Sequence, residues 1–250
     1  MANGKVPYKD IFEQKGPLLY ALHAAAAVIS EKTFIGVFIM EVIAFSIFLF
    51  YCGKIFELFL NDHYIKPAIV ISAFLILFHT TFVNGDSAEE YCLPLLSISL
   101  FYLLKHYQSG SNSSIPNHII ILHGLMAGCV IWIKYSMIGF WFGLVLSYGV
   151  LLLISKRYAQ IFQFGILFLL GILISAIPWF LYFVSHNGLK EFVDVYFVTN
   201  IKYYPSTRNP FINLVVAGGK IVLLYFRANI KRSLSFGFKR IPGQMASTQL

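Results

Sequence analysis

Thr33-Phe34-Ile35-Gly36-Val37-Phe38-Ile39-Met40-Glu41-Val42-Ile43-Ala44-Phe45-Ser46-Ile47-Phe48-Leu49-Phe50-Tyr51 carries one charged residue in an otherwise apolar run. A helix crossing the bilayer core takes about 20 such residues at 1.5 Å of rise each, so this stretch is read as a membrane span. Further apolar runs lie at Ile65 to Val83, Tyr91 to Leu104, Ile119 to Ile133, Ile138 to Ile154 and Ile161 to Val184, with a shorter one at Phe211 to Phe226. Lipid offers no partner to an open sheet edge. The expected class is therefore all-α: a polytopic transmembrane bundle of about seven spans plus interfacial helices.

Composition agrees. Of the 250 residues, 58% are hydrophobic and 12% charged, and the mean hydropathy is +0.73. The opening residues are polar and lack the apolar run of a cleavable signal. The stretch Pro17 to Ser30, with alanines at 24 to 27, is too short to span and is expected to lie at the interface. Leu189 to Tyr204 places Phe192, Val195, Tyr196, Thr199 and Tyr203 at roughly helical spacing, which predicts an amphipathic surface helix. Cys52, Cys92 and Cys129 show no CxxC spacing and read as packing residues. One membrane domain is expected over 1–232, without internal repeats, followed by a polar tail over 233–250. Gln108 to Asn117 reads as a flexible connection.

The formal charge is +8, but the basic residues are scattered over loops and gather on no RNA-binding motif, which argues against nucleic acid as a partner. With the amino terminus outward, Lys54, Lys66, Lys105, Lys156, Arg157, Arg227, Lys231, Arg232, Lys239 and Arg240 fall on the cytoplasmic side beside Glu57 and Asp62 alone. The outer side receives eight cations and eight carboxylates. Because the positive-inside rule counts Lys and Arg and largely ignores acids, the uneven division of carboxylates is the more telling asymmetry, and it predicts a polar outer cavity.

Hydrocarbon penalises charge, so clustered polar residues mark candidate sites. Asp10 and Glu13, one turn apart if helical, precede Gly16-Pro17. A carboxylate at a lipid–water boundary suits general-base work or oxygen ligation of a divalent metal, the one cofactor these residues would serve. In Asn84-Gly85-Asp86-Ser87-Ala88-Glu89-Glu90-Tyr91, Ser87 is placed to cap the next helix with Glu89 and Glu90 in its first turn. Asp86 and Glu89 exceed what a cap needs and are candidate catalytic groups. Lys134, Lys202 and Arg208 are candidate phosphate ligands, and Glu41, inside its span, is expected to pair with Lys134. The histidines, His23 among them, share no metal-binding spacing.

The run Tyr8-Lys9-Asp10-Ile11-Phe12-Glu13-Gln14-Lys15-Gly16-Pro17-Leu18-Leu19-Tyr20, the acidic turn at Asp86 to Glu90, the Lys134 span end and Ser175-Ala176-Ile177-Pro178-Trp179 ahead of Thr199-Asn200-Ile201-Lys202 together resemble bacterial membrane glycosyltransferases of the GT-C fold, such as aminoarabinose transferases and protein O-mannosyltransferases. The resemblance covers about residues 4 to 225. It implies transfer of a sugar from a polyprenyl-phosphate carrier to a glycan, lipid or protein acceptor at the extracytoplasmic face of the cell membrane, with membrane lipids as surroundings. Glu13 would match the carboxylate of the family's Glu-Lys-Pro element, here Glu13-Gln14-Lys15-Gly16-Pro17. Asn200 stands where some relatives have a histidine. Relatives begin with a further span and an acidic pair and continue through more spans, so a form shortened at both ends is expected. The competing expectation is a lipid-carrier flippase or transporter component, whose charges would line a passage.

Overall fold

The computed structural model describes residues 4–82, 85–108 and 114–203. The expected span Phe211 to Phe226, the tail over 233–250 and Arg208 lie outside them. Within the described residues every regular element is helical, and the one strand-like contact is an isolated bridge between Pro7 and Ile11.

Among the described residues seven helices make the bundle: α1 (Pro17–Ile29), α2 (Ile35–Glu57), α3 (Asp62–Leu77), α4 (Ala88–Gln108), α5 (Asn117–Lys134), α6 (Gly139–Ile154) and α7 (Tyr158–Ser185). Three helical stretches among the described residues, Ile35–Glu57, Asn117–Ile154 and Tyr158–Ser185, are long and apolar enough to cross a membrane. At Lys134 the backbone becomes extended (φ −155°, ψ 96°), and a 3-10 turn, Tyr135–Ile138, leads into α6. The Tyr148 hydroxyl then accepts a hydrogen bond from the Ile115 N–H at 3.2 Å. That contact brings the middle of α6 back beside the start of α5, so the two helices run antiparallel.

Side-chain size explains the packing. The buried residues of α2 are Gly36, Ala44 and Gly53, whereas Phe38, Val42, Ile43, Ile47 and Phe50 are exposed. Small residues facing neighbours and large apolar ones facing out is the pattern of a helix surrounded by lipid; in water the same surface would be a severe aggregation hazard. The parallel pair α5 and α7 follows the same rule. A Cβ on Gly124 would lie 2.0 Å from the Phe168 carbonyl oxygen and one on Gly171 2.2 Å from that of Ile121, so the backbones touch. Further along the same seam the Trp132 indole N–H donates to Ser175 Oγ at 2.9 Å. Between α4, α5 and α6, Ser99 Oγ meets the Trp141 indole N–H and His123 Nδ1, each at 3.1 Å.

The helix directions define two ends. The upper end holds the starts of α2 and α4 and the ends of α5 and α7; the lower end holds the opposite termini.

Beyond α7 the chain turns through α8 (Leu189–Phe192), a π-helical turn (Val193–Thr199) and α9 (Asn200–Tyr203). The expected surface helix is therefore present but wound through a π turn. Its Phe192 and Tyr196 are buried, with Val6, Tyr8, Trp132 and Phe183, in an aromatic cluster at the upper end.

Candidate functional site

The polar opening segment is not helical, so Asp10 and Glu13 do not form the one-turn pair. Tyr8 takes a left-handed φ of 69°, and the turn closes on itself: Asp10 Oδ2 accepts from the Val6 N–H at 2.7 Å and the Asp10 N–H donates to the Val6 carbonyl at 2.9 Å. Glu13 Oε1 accepts from the neighbouring Gln14 N–H at 2.9 Å. Both carboxylates thus satisfy local backbone.

The segment as a whole is pinned to the upper end. The Tyr8 hydroxyl donates to the Lys15 carbonyl at 2.5 Å, and the Gly16 N–H donates to the Ile133 carbonyl at 3.0 Å. Lys9 Nζ reaches the His186 carbonyl at 3.0 Å. Buried Asn200 donates from Nδ2 to the carbonyls of Gln14 at 3.2 Å and Tyr196 at 2.8 Å, so the position where relatives of the resembled family carry a histidine is a structural pin here. Burial pushes the Tyr8 and Tyr196 hydroxyls well above the usual phenol range, so both stay protonated and act as donors. Gly16 is required at its place, since a Cβ there would lie 1.9 Å from the Trp132 carbonyl oxygen.

The second candidate converges with side chains from four other places in the chain. Gly85 and Asp86 both adopt left-handed backbone, with φ of 66° and 53°, a conformation glycine and aspartate tolerate better than most residues. This folds the loop over α2, where the Asp86 N–H donates to the Glu41 carboxylate. Ser87 Oγ accepts from the Glu90 N–H at 3.3 Å, as expected of a helix cap. Glu89 pairs with Lys134 across to the end of α5. The expected pairing of Glu41 with Lys134 is therefore replaced: Glu89 is the nearer partner, and Glu41 faces Asp86 and Glu90 instead.

His23 completes the cluster. Its Nε2 lies 2.8 Å from Asp86 Oδ1 and its Nδ1 2.8 Å from the Leu19 carbonyl. A carbonyl can only accept, so Nδ1 is the donor to Leu19 and Nε2 is the ring nitrogen turned to the carboxyl. The sequence gives no spacing that would reveal this pair, because the two residues are 63 positions apart and α1 reads as a plain alanine-rich helix.

Electrostatics divides the carboxyls. Burial pushes Glu89 upward, but the hydrogen bond from Lys134, its own backbone and the nearby charges of Lys134 and Lys15 outweigh it, and Glu89 sits below its ordinary value. Glu90, also ahead of the apolar run that begins at Tyr91, is pushed up to about 8 by burial first, then by its hydrogen bond with Glu41 and the Glu41 and Asp86 charges. Exposure is graded across the cluster: the side chains of Asp86 and His23 are 42% and 33% exposed, those of Lys134 and Glu89 29% and 22%.

Comparison with known protein families, curated proteins and solved structures finds no match. The site therefore stands on its own geometry. It joins Asp86, Glu89 and Lys134 of the expected residues with Glu41, Glu90, His23 and Lys15. Lys202 lies exposed on α9, and Asp10 and Glu13 belong to the pinned turn. Among the described residues no group of three His, Cys, Asp or Glu side chains is arranged to hold a metal ion.

Proposed function

We propose that this chain is a multi-pass membrane glycosyltransferase of GT-C type that moves a sugar from a polyprenyl-phosphate donor to an acceptor hydroxyl, with the upper end outside the cytoplasm. The observation that carries the reading is the pairing of a proton-accepting group, Asp86 with His23, beside a cationic one, Lys134 with Lys15, at one end of a bundle with lipid-compatible flanks.

In this mechanism Asp86, oriented by His23, takes the proton from the acceptor hydroxyl. The acceptor oxygen forms a bond to the anomeric carbon as the anomeric carbon–oxygen bond to phosphate breaks. The electron pair leaves with the polyprenyl phosphate, whose charge Lys134 and Lys15 meet. Glu89 acts through Lys134 by holding its ammonium in place.

The test is reconstitution of the protein in liposomes with a labelled polyprenyl-phosphate sugar and a separate readout of carrier movement. Parent protein should release polyprenyl phosphate. Asp86→Asn should slow release by about 10²-fold or more, the range of a lost general base, while Glu13→Gln should leave it unchanged. Equal turnover in the parent and Asp86→Asn would overturn the assignment. Carrier crossing the bilayer with its sugar still attached would replace transfer by the passage reading.

A further inference from the structure

A pair such as Asp86 and His23 works only where both side chains are held, and the two are held by different parts of the chain. His23 is set by α1: its Nδ1 donates to the Leu19 carbonyl at 2.8 Å, and its ring meets that of Tyr91 at 63° with centres 6.1 Å apart. Asp86 has no helix beneath it. It lies two residues ahead of α4 on left-handed backbone, with φ of 53° after 66° at Gly85, a region that glycine occupies freely and other residues at a cost. The Gly85 N–H returns to the Phe82 carbonyl at 3.1 Å. The next N–H, that of Asp86, leaves the loop and meets the carboxylate of Glu41 on α2.

Composition alone gives Glu41 no reason to be there. It is the seventh residue of α2, between Met40 and Val42 in a run that reads as membrane, where a carboxylate is expensive. Its oxygens serve two partners: the Asp86 N–H, and the Glu90 carboxyl, with which it shares a hydrogen bond. A Cβ on Gly85 would stand 3.4 Å and 3.7 Å from the same two oxygens, so the loop backbone rests on them. Glu41 takes no part in the bond-making and bond-breaking described above. Its contacts are to the backbone that carries Asp86.

We propose that Glu41 is a positioning residue of the upper site: its carboxylate holds the Asp86 backbone so that the Asp86 carboxyl meets His23 and the acceptor hydroxyl together. The inference rests on the reading of Asp86 as the proton acceptor. A group misplaced by ~1 Å from its working geometry costs about 10²-fold in rate. The donor phosphate is met by Lys134 and Lys15, which Glu41 does not hold, so the loss belongs to kcat and not to KM for the donor.

The experiment uses the full chain in the same liposomes with the labelled polyprenyl-phosphate sugar, and reads both turnover and amide hydrogen exchange at Asp86. Glu41→Ala should lower kcat by about 10²-fold with KM unchanged, and should speed exchange of the Asp86 N–H. Glu41→Gln should restore both, because its amide oxygen accepts from the Asp86 N–H while its amide N–H donates to the Glu90 carboxyl. Glu41→Leu, which fills the space without an acceptor, repeats the test where Glu41→Ala does not fold, and Glu57→Gln at the lower end should match the parent in both readouts. Parental kcat in Glu41→Ala and Glu41→Leu, unchanged exchange at Asp86, a rise in KM without a fall in kcat, or no rescue by Glu41→Gln would each overturn the role of Glu41 and leave that of Asp86 standing. A parent that transfers no sugar, or one matched in turnover by Asp86→Asn, would instead overturn the reading of the site, and the role of Glu41 with it.

Discussion

Glu90 is the residue at which the upper site stores a proton. Its folded-state pKa lies above the ordinary 4.5, at about 8, through burial and then the neighbouring carboxyls of Glu41 and Asp86. The folded chain thus binds this proton more tightly than the unfolded chain does. The resulting stabilisation is complete below about the ordinary carboxylate value and is lost as pH rises through about 8. The melting temperature in detergent should therefore fall as pH is raised from 5 to 9, and Glu90→Gln, which keeps the hydrogen-bonding shape without the titration, should flatten that fall. An unchanged slope in Glu90→Gln would place the proton elsewhere. Glu89 works in the opposite sense, because its pKa is lowered in the folded state: its contribution is present above the ordinary carboxylate value and disappears in acid. Glu89→Gln should accordingly lower the melting temperature at neutral pH and converge on the parent in acid, measured by the same melting series.

Among the elements, the α5–α7 seam fixes where the upper site sits, because α5 ends in Lys134 and its register against α7 is set by backbone contact. Gly171→Ala would place a Cβ 2.2 Å from the Ile121 carbonyl oxygen and 2.6 Å from the Leu125 nitrogen. Neither backbone atom can move alone, so the helices must separate, at a cost of about 3 kcal/mol, the upper part of the usual overpacking range. Gly165→Ala on the same helix meets nothing within 4 Å and should stabilise by roughly 0.5 to 1 kcal/mol through helix propensity. Denaturation midpoints of the two variants should move in opposite directions.

The helices themselves were legible from hydrophobic runs: the apolar runs from Thr33 to Val184 each fall on one of α2 to α7, as at Ile65 to Val83, where α3 runs Asp62–Leu77, although of the expected spans only the stretches Ile35–Glu57, Asn117–Ile154 and Tyr158–Ser185 are long and apolar enough among the described residues to cross a membrane. Ser87 as a cap was legible for the same reason, since a serine three residues ahead of Glu90 has a local job. The pairings were not. Lys134 could have met either Glu41 or Glu89, and only the packing of α5 beside the start of α4 shows that it meets Glu89. His23 and Asp86 meet because α1 folds back beside the α3–α4 loop, a tertiary fact with no local signature. Asp10 and Glu13 would be one turn apart only in a helix, and a left-handed Tyr8 closes the opening segment into a turn instead, which no local pattern announces.

At the scale of the whole molecule, polarity is divided between the two ends while the flanks remain apolar, and that division fixes what each end can bind. The upper end mixes carboxylates and cations in paired contacts, whereas the lower end among the described residues sets Lys54, Lys66, Lys105, Lys156 and Arg157 against only Glu57 and Asp62. Over the full sequence the expected cytoplasmic side leads in Lys and Arg by ten to eight, a narrow margin under a rule that ignores acids. The proposed function requires one polarity, however, since polyprenyl-linked sugars are used at the outer face in the resembled family. A single cysteine settles it. With the three native cysteines replaced by alanine, Lys190→Cys at the exposed upper end should react with a membrane-impermeant maleimide applied to intact cells. Tyr158→Cys, exposed at the lower end, should react only after the membrane is permeabilised. The reverse pattern would turn the molecule over, placing Asp86 and His23 in the cytoplasm, where a carrier-linked sugar acting as donor at the outer face could not reach them.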